Sequence, residues 1–217
     1  MAKSRQYAEL FDGRDLLEQA LVSQGIDLCA LVAATTVWAN PEVFEYLKAH
    51  NGYGAYFPNT RRAKPPEVRG MIVDGTRLDD NTYANHAIKY AVGLKRLVVA
   101  MEACHVWPGT TYIATCHTVI ANLVLMPTSL AGLSDHNDAV ISALKYRSYE
   151  LYGWYPPDEQ QPPRPERYSY NWREPEPMTP AIMWSLKHRK GGAAPEPAGP
   201  ATVSLAARGF LPVGTTS

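Results

Sequence analysis

Proline placement constrains this chain more than any other feature. Twelve of its 18 prolines fall between Pro156 and Pro212. Each one removes a backbone donor and pushes the preceding residue out of the helical region. The run Tyr155-Pro156-Pro157-Asp158-Glu159-Gln160-Gln161-Pro162-Pro163-Arg164-Pro165 is therefore closed to regular helix or sheet. A periodic core must come mainly from the residues before it. Within the proline-rich part, Met178 to Lys190 is expected to form one short helix, with Thr179 as N-cap and Pro180 at the first helical position. That helix either docks on the core through Ile182, Met183, Trp184 and Leu186 or meets a partner. The stretch after about Gly191 reads as a flexible tail.

Composition narrows the class. Hydrophobic residues make up 46%, enough for one core with or without a satellite. Twenty-one Lys and Arg balance 21 Asp and Glu, so bulk neutralisation of long DNA is excluded and any nucleic-acid contact must be local. There is no apolar run of the roughly 18 residues that a membrane span needs, so no membrane partner is expected. Lys3 and Arg5 precede an amphipathic stretch, so no standard secretory signal is expected either. Cys29, Cys104 and Cys116 are odd in number and widely spaced, which suits reduced thiols in a cytoplasmic protein.

Periodicity and capping mark out the elements. Leu16, Leu17, Ala20 and Leu21 share a helical face that stops at Gly25; Asp27 opens a second helix and Asn40-Pro41 a third. Residues 51–70, rich in Gly and Pro, read as a loop. Asp79-Asp80-Asn81 caps a helix carrying Tyr83, Ala84, Ala87, Ile88 and Ala91 on one face. Leu97–Met101 is short and β-branched, as a buried strand would be. Trp107-Pro108-Gly109 is loop chemistry, and Thr118–Met126 is a second apolar run, a strand with its turn. A helix is expected over Asp138–Tyr152.

Residues 97–152 thus read as strand, loop, strand, helix. Glu102-Ala103-Cys104-His105-Val106-Trp107-Pro108, Ala121-Asn122-Leu123-Val124-Leu125-Met126-Pro127 and Ser134-Asp135-His136 fall at its joints. In that order these segments resemble the HNH, or ββα-metal, endonuclease family. The resemblance implies an α+β protein: a helical N-terminal region over 1–93, an HNH-like finger over 94–154, and a Pro-rich extended arm and tail over 155–217. It implies that His105 activates water against a phosphodiester of DNA, with Asn122 orienting that histidine or bracing the loop. His136, Cys104 and Glu102 become the candidate ligands of a divalent ion, Mg²⁺ or Mn²⁺, with Zn²⁺ the choice a thiolate would favour. Cys104 stands where family members often carry Asp or His, and His136 lies fourteen residues after Asn122, farther than the family's usual spacing.

Each of these residues also has a plainer reading. His105 would be a strand-end histidine bonded to backbone, Asn122 a turn or cap, and His136 with Asp135 a helix cap. Cys104 would be a small buried hydrophobe, Glu102 a solvated strand position, and His117 a loop or packing residue. Arg61, Arg62, Lys64 and Arg69, interleaved with Tyr53, Tyr56 and Phe57, offer a DNA-gripping loop or ordinary surface charge. The leading expectation is a metal-dependent DNA endonuclease. The alternative is a non-catalytic DNA- or protein-binding assembly protein, whose C-terminal arm, through Tyr168, Tyr170, Trp172 and Trp184, wraps a partner or another copy of the chain.

Overall fold

The structure is a computed structural model that describes residues 13–94 and 99–188. It is a mixed α+β protein. In chain order come α1 (Gly13–Ser23), α2 (Leu28–Thr35), α3 (Pro41–Asn51), β1 (Thr60–Arg62), β2 (Ile72–Val73), β3 (Thr76–Asp79) and α4 (Thr82–Ala91). They are followed by β4 (Met101–His105), β5 (Leu123–Pro127), α5 (Leu133–His136), α6 (Asp138–Tyr152) and α7 (Pro180–Lys187).

Side-chain caps set most helix starts by satisfying amides that have no partner inside the helix. Asp27 accepts from Ala30 N at 3.1 Å, and Asn40 accepts from Glu42 N at 2.9 Å with Pro41 opening α3. Asn137 accepts from Val140 N at 3.1 Å at the start of α6, and Thr179 from Ile182 N at 3.2 Å at the start of α7. At α4 the adjacent Asn81 makes no side-chain cap. Asp79 Oδ2 accepts from Tyr83 N at 2.8 Å and Asp80 Oδ1 from Thr82 N at 3.2 Å instead.

Two small sheets result. β4 and β5 pair antiparallel, from Met101 opposite Pro127 to His105 opposite Leu123. Two 3₁₀ turns, Pro108–Tyr112 and Ile120–Asn122, lie in the long connection between them. The other sheet has the order β1-β3-β2, with β1 parallel and β2 antiparallel to β3. This sheet corrects the reading of 51–70 as loop throughout, since β1 lies inside it. The expected strand over Leu97–Met101 is also corrected. Residues 97–98 lie outside the described residues, Val99 is 87% exposed, and Ala100 turns the chain at φ 58°. Pairing with the buried β5 selects Met101–His105 as the strand.

β5 is wholly buried up to Met126, and Val37 hydrogen-bonds to Leu125 across its far edge, at 2.9 and 3.1 Å. Trp38, Phe44, Leu47, Ile88, Leu123, Leu125 and Leu144 belong to one core cluster that runs from Leu28 to Leu186. One core therefore draws on all three segments read from the sequence. Each such side chain contributes roughly 1.5–3 kcal/mol by leaving water. Gly54, at φ 80°, lies against the Phe44 ring, where a Cβ would overlap it.

Residues 154–179 contain no helix or strand, as their prolines dictate, yet they lie on the protein's own core. Arg173 N donates to Ala33 O at 3.0 Å, and Trp172 meets Trp38 edge-on with centroids 6.1 Å apart. The Tyr168 hydroxyl donates to Glu150 at 3.0 Å. Tyr168, Tyr170 and Trp172, which the alternative reading offered to a neighbouring subunit, make these contacts within the chain, where their rings lie on α2 and α6. No single helix among the described residues is long and apolar enough to cross a membrane.

Candidate active site

A polar cleft of about 700 Å³ opens beside β4. Its walls come from distant parts of the chain: Arg62 of β1, Asn81 and Asn85 around the start of α4, Glu102 and His105 of β4, and Asp135 of α5. The fold therefore gathers an imidazole, a guanidinium, carboxamides and carboxylates at one opening.

His105 is only 6% exposed, at the inner wall. Its Nε2 lies 3.0 Å from the main-chain oxygen of His117, and the two imidazoles stack with centroids 5.1 Å apart at 12°. A carbonyl only accepts, so Nε2 carries the hydrogen and the lone pair is left on Nδ1. That nitrogen has no hydrogen-bond partner among the described residues. Burial, followed by the neighbouring His117, pushes His105 down to about 3. The ring is neutral at neutral pH and keeps its lone pair free.

Behind it lies a pair that the sequence reading assigned elsewhere. His117 Nε2 is 3.1 Å from Asp79 Oδ2, and both side chains are fully buried. The same carboxylate oxygen accepts from the amides of Asn81 and Tyr83 at 3.1 and 2.8 Å. Burial works to raise the Asp79 carboxyl, but the bonds from His117 and from the amides of Tyr83 and Asp80 outweigh it and hold it at about 2. Asp79 was read as a helix cap, which it is, and His117 as a loop or packing residue. One signal was present. His117 precedes Thr118-Val119-Ile120, all buried, and a buried imidazole requires a polar partner.

Asn122 is fully buried and bonds the loop, not the His105 ring. It accepts from Trp107 N at 3.0 Å and donates to Thr110 Oγ1 at 2.8 Å and Cys116 O at 3.0 Å. The group that orients His105 is the His117 carbonyl. Of the two roles expected for Asn122, bracing the loop is the one its contacts match.

The expected ligands separate. His136 ends α5 as an exposed residue and is not on the cleft wall. Cys104 is on the wall but buried, its Sγ 3.8 Å from Ala131 O and 3.9 Å from Glu102 O. Burial pushes its thiol up to about 12, so it is protonated at neutral pH. Among the described residues no three His, Cys, Asp or Glu side chains converge as a metal site. Glu102 and Asp135 remain as hard carboxylates lining the cleft. That donor set suits Mg²⁺ or Mn²⁺, which take one or two carboxylates together with substrate phosphate and water.

The four basic candidates also divide. Arg61 is held by Glu67 through two bonds of 2.7 and 2.6 Å, and Arg69 pairs with Asp80 at 2.5 Å. Lys64 Nζ lies over the Tyr112 ring at 5.3 Å. Arg62 is exposed on the cleft wall, without an ion pair among the described residues.

No family model, no curated protein and no solved structure matches the chain.

Proposed function

We propose that the protein is an HNH-type endonuclease that hydrolyses phosphodiester bonds of DNA in this cleft. The observation that carries the reading is His105, a neutral imidazole fixed at Nε2 and, among the described residues, unpartnered at Nδ1, in the cleft that Arg62 also lines. Arg62 grips non-bridging oxygens of the scissile phosphate, as a guanidinium does well. His105 Nδ1 takes a proton from water as the water oxygen bonds to phosphorus and the bond from phosphorus to the leaving oxygen breaks. A base held near 3 is weak but never blocked by its own proton at neutral pH. The negative charge that gathers on the phosphorane raises its proton affinity at the moment of transfer. The carbonyl of His117, steadied by Asp79, keeps the ring from turning. Glu102 and Asp135 are the residues that would hold a Mg²⁺ or Mn²⁺ ion, which would stabilise charge on the phosphate and the leaving oxygen.

The second reading, a DNA-binding or assembly protein without hydrolysis, draws support from the scattered ligands, since among the described residues three protein donors do not meet. Supercoiled plasmid separates the two. The nuclease reading expects conversion to open circle with Mg²⁺ or Mn²⁺. Clean protein that binds plasmid, yet leaves it supercoiled with either ion or with Zn²⁺, favours the second.

A further inference from the structure

We propose that α4 and α7 together form a track for single-stranded nucleic acid leading away from the cleft. Its choice of partner rests on the nuclease reading, while its geometry is independent of that reading. The two helices pack on each other. Ile182 and Leu186 of α7 are buried, while Trp184, on the opposite side of the helix, is 57% exposed. An exposed indole of this size calls for a reason.

Trp184 does not stand alone. It stacks on His188 with centroids 4.7 Å apart at 16°. On α4, His86 stacks on Tyr90 at 5.7 Å and 28°, and Tyr90 is 37% exposed. Tyr56, itself buried, links the two pairs from beneath. Its ring lies 5.8 Å from that of Tyr90, and its hydroxyl donates to the carbonyl of Ser185, the residue after Trp184, at 3.3 Å. Asn85, beside His86, lines the cleft, so the path starts at the cleft's edge.

Charge selects the ligand. Neither α4 nor α7 contains a carboxylate, whereas Lys89 and Lys187 lie on them and the sequence continues His188-Arg189-Lys190. In a chain whose charges cancel overall, Lys89 and Lys187 put positive charge on the two helices that carry the exposed rings. Unstacked bases offer flat faces to such rings and their phosphates suit the lysines. Duplex bases are already stacked on one another and present only edges. A neutral apolar partner would gain nothing from the cations.

The test is fluorescence anisotropy of a fluorescein-labelled oligo-dT with the full chain in EDTA, so that no strand is cut. The expected result is binding that weakens with salt and falls roughly tenfold or more in Trp184→Ala and in Tyr90→Ala. Trp184→Phe retains most of the affinity, and Val68→Ala, an exposed apolar residue elsewhere, binds as wild type. Equal affinity in Trp184→Ala, Tyr90→Ala and wild type overturns the track. So does failure of the wild type to bind oligo-dT, or tighter binding to a duplex of the same length. Plasmid nicking, run in parallel, keeps the two readings apart. Nicking without a Trp184 or Tyr90 effect on oligo-dT sinks only the track, and ring-dependent oligo-dT binding without nicking sinks only the nuclease.

Discussion

His117 Nε2 and Asp79 Oδ2 lie 3.1 Å apart with neither side chain reaching solvent. The contact ties the end of β3 to the loop whose carbonyl holds His105, so one buried pair links the small three-stranded sheet to the cleft. Removing one partner leaves the other without compensation, which costs more than replacing both. Asp79→Ala is therefore expected to lower unfolding free energy by roughly 3 kcal/mol or more. It should also reduce nicking by well-folded protein. Urea denaturation checks the first effect, and a nicking assay at low temperature the second.

Acid should destabilise the protein in a defined window. Folded His105 titrates near 3, below its ordinary 6.5, so between these values the unfolded chain binds a proton that the folded chain refuses. Stability is unaffected by this group above about 6.5 and falls as pH drops toward 3. Asp79 acts in the same direction lower down. Its contribution is complete above its ordinary 3.8 and is lost as pH falls through about 2. Urea midpoints measured against pH should slope downward toward acid, and His105→Gln should flatten the part between 6.5 and 3.

Asn122→Ala is expected to damage the loop more than the base. It strands Trp107 N and Cys116 O, both in a buried setting, at a cost of about 1–3 kcal/mol for each stranded group. The measurement is the urea midpoint. Asn122→Asp should also lose stability, because the two donors at Nδ2 disappear.

Arg62 and Arg61 are neighbours with opposite expectations. Arg62→Ala should weaken plasmid binding and reduce the slope of log affinity against log salt by about 0.9, one phosphate contact. Arg61→Ala should change that slope little, since its guanidinium is already committed to Glu67. Salt titrations of both variants check the contrast.

Local chemistry was legible and long-range pairing was not. Asp27, Asn40-Pro41 and Thr179-Pro180 mark helix starts because a cap is read within three residues of itself. The strands β1 and β2 carry no such mark. They are three and two residues long, Ile72 is exposed, and β1 is defined only by its parallel partner β3. The same division runs through the site. His105, Glu102 and Asn122 were singled out by the order of their segments along the chain, although the strand that carries His105 and Glu102 was placed four residues too early. Asp79 and His117 are 38 residues apart, and only the fold shows that they meet. Arg62 could not be told from Arg61 until Glu67 was seen to claim one of them.

The most direct test of the central claim is plasmid nicking by His105→Ala, with and without added imidazole. The account predicts metal-dependent nicking by wild type, a loss of roughly 10²–10⁴-fold in the variant, and partial recovery when free imidazole enters the space left by the ring. Undiminished nicking by His105→Ala would contradict it, as would folded wild-type protein that leaves plasmid uncut with Mg²⁺ and Mn²⁺.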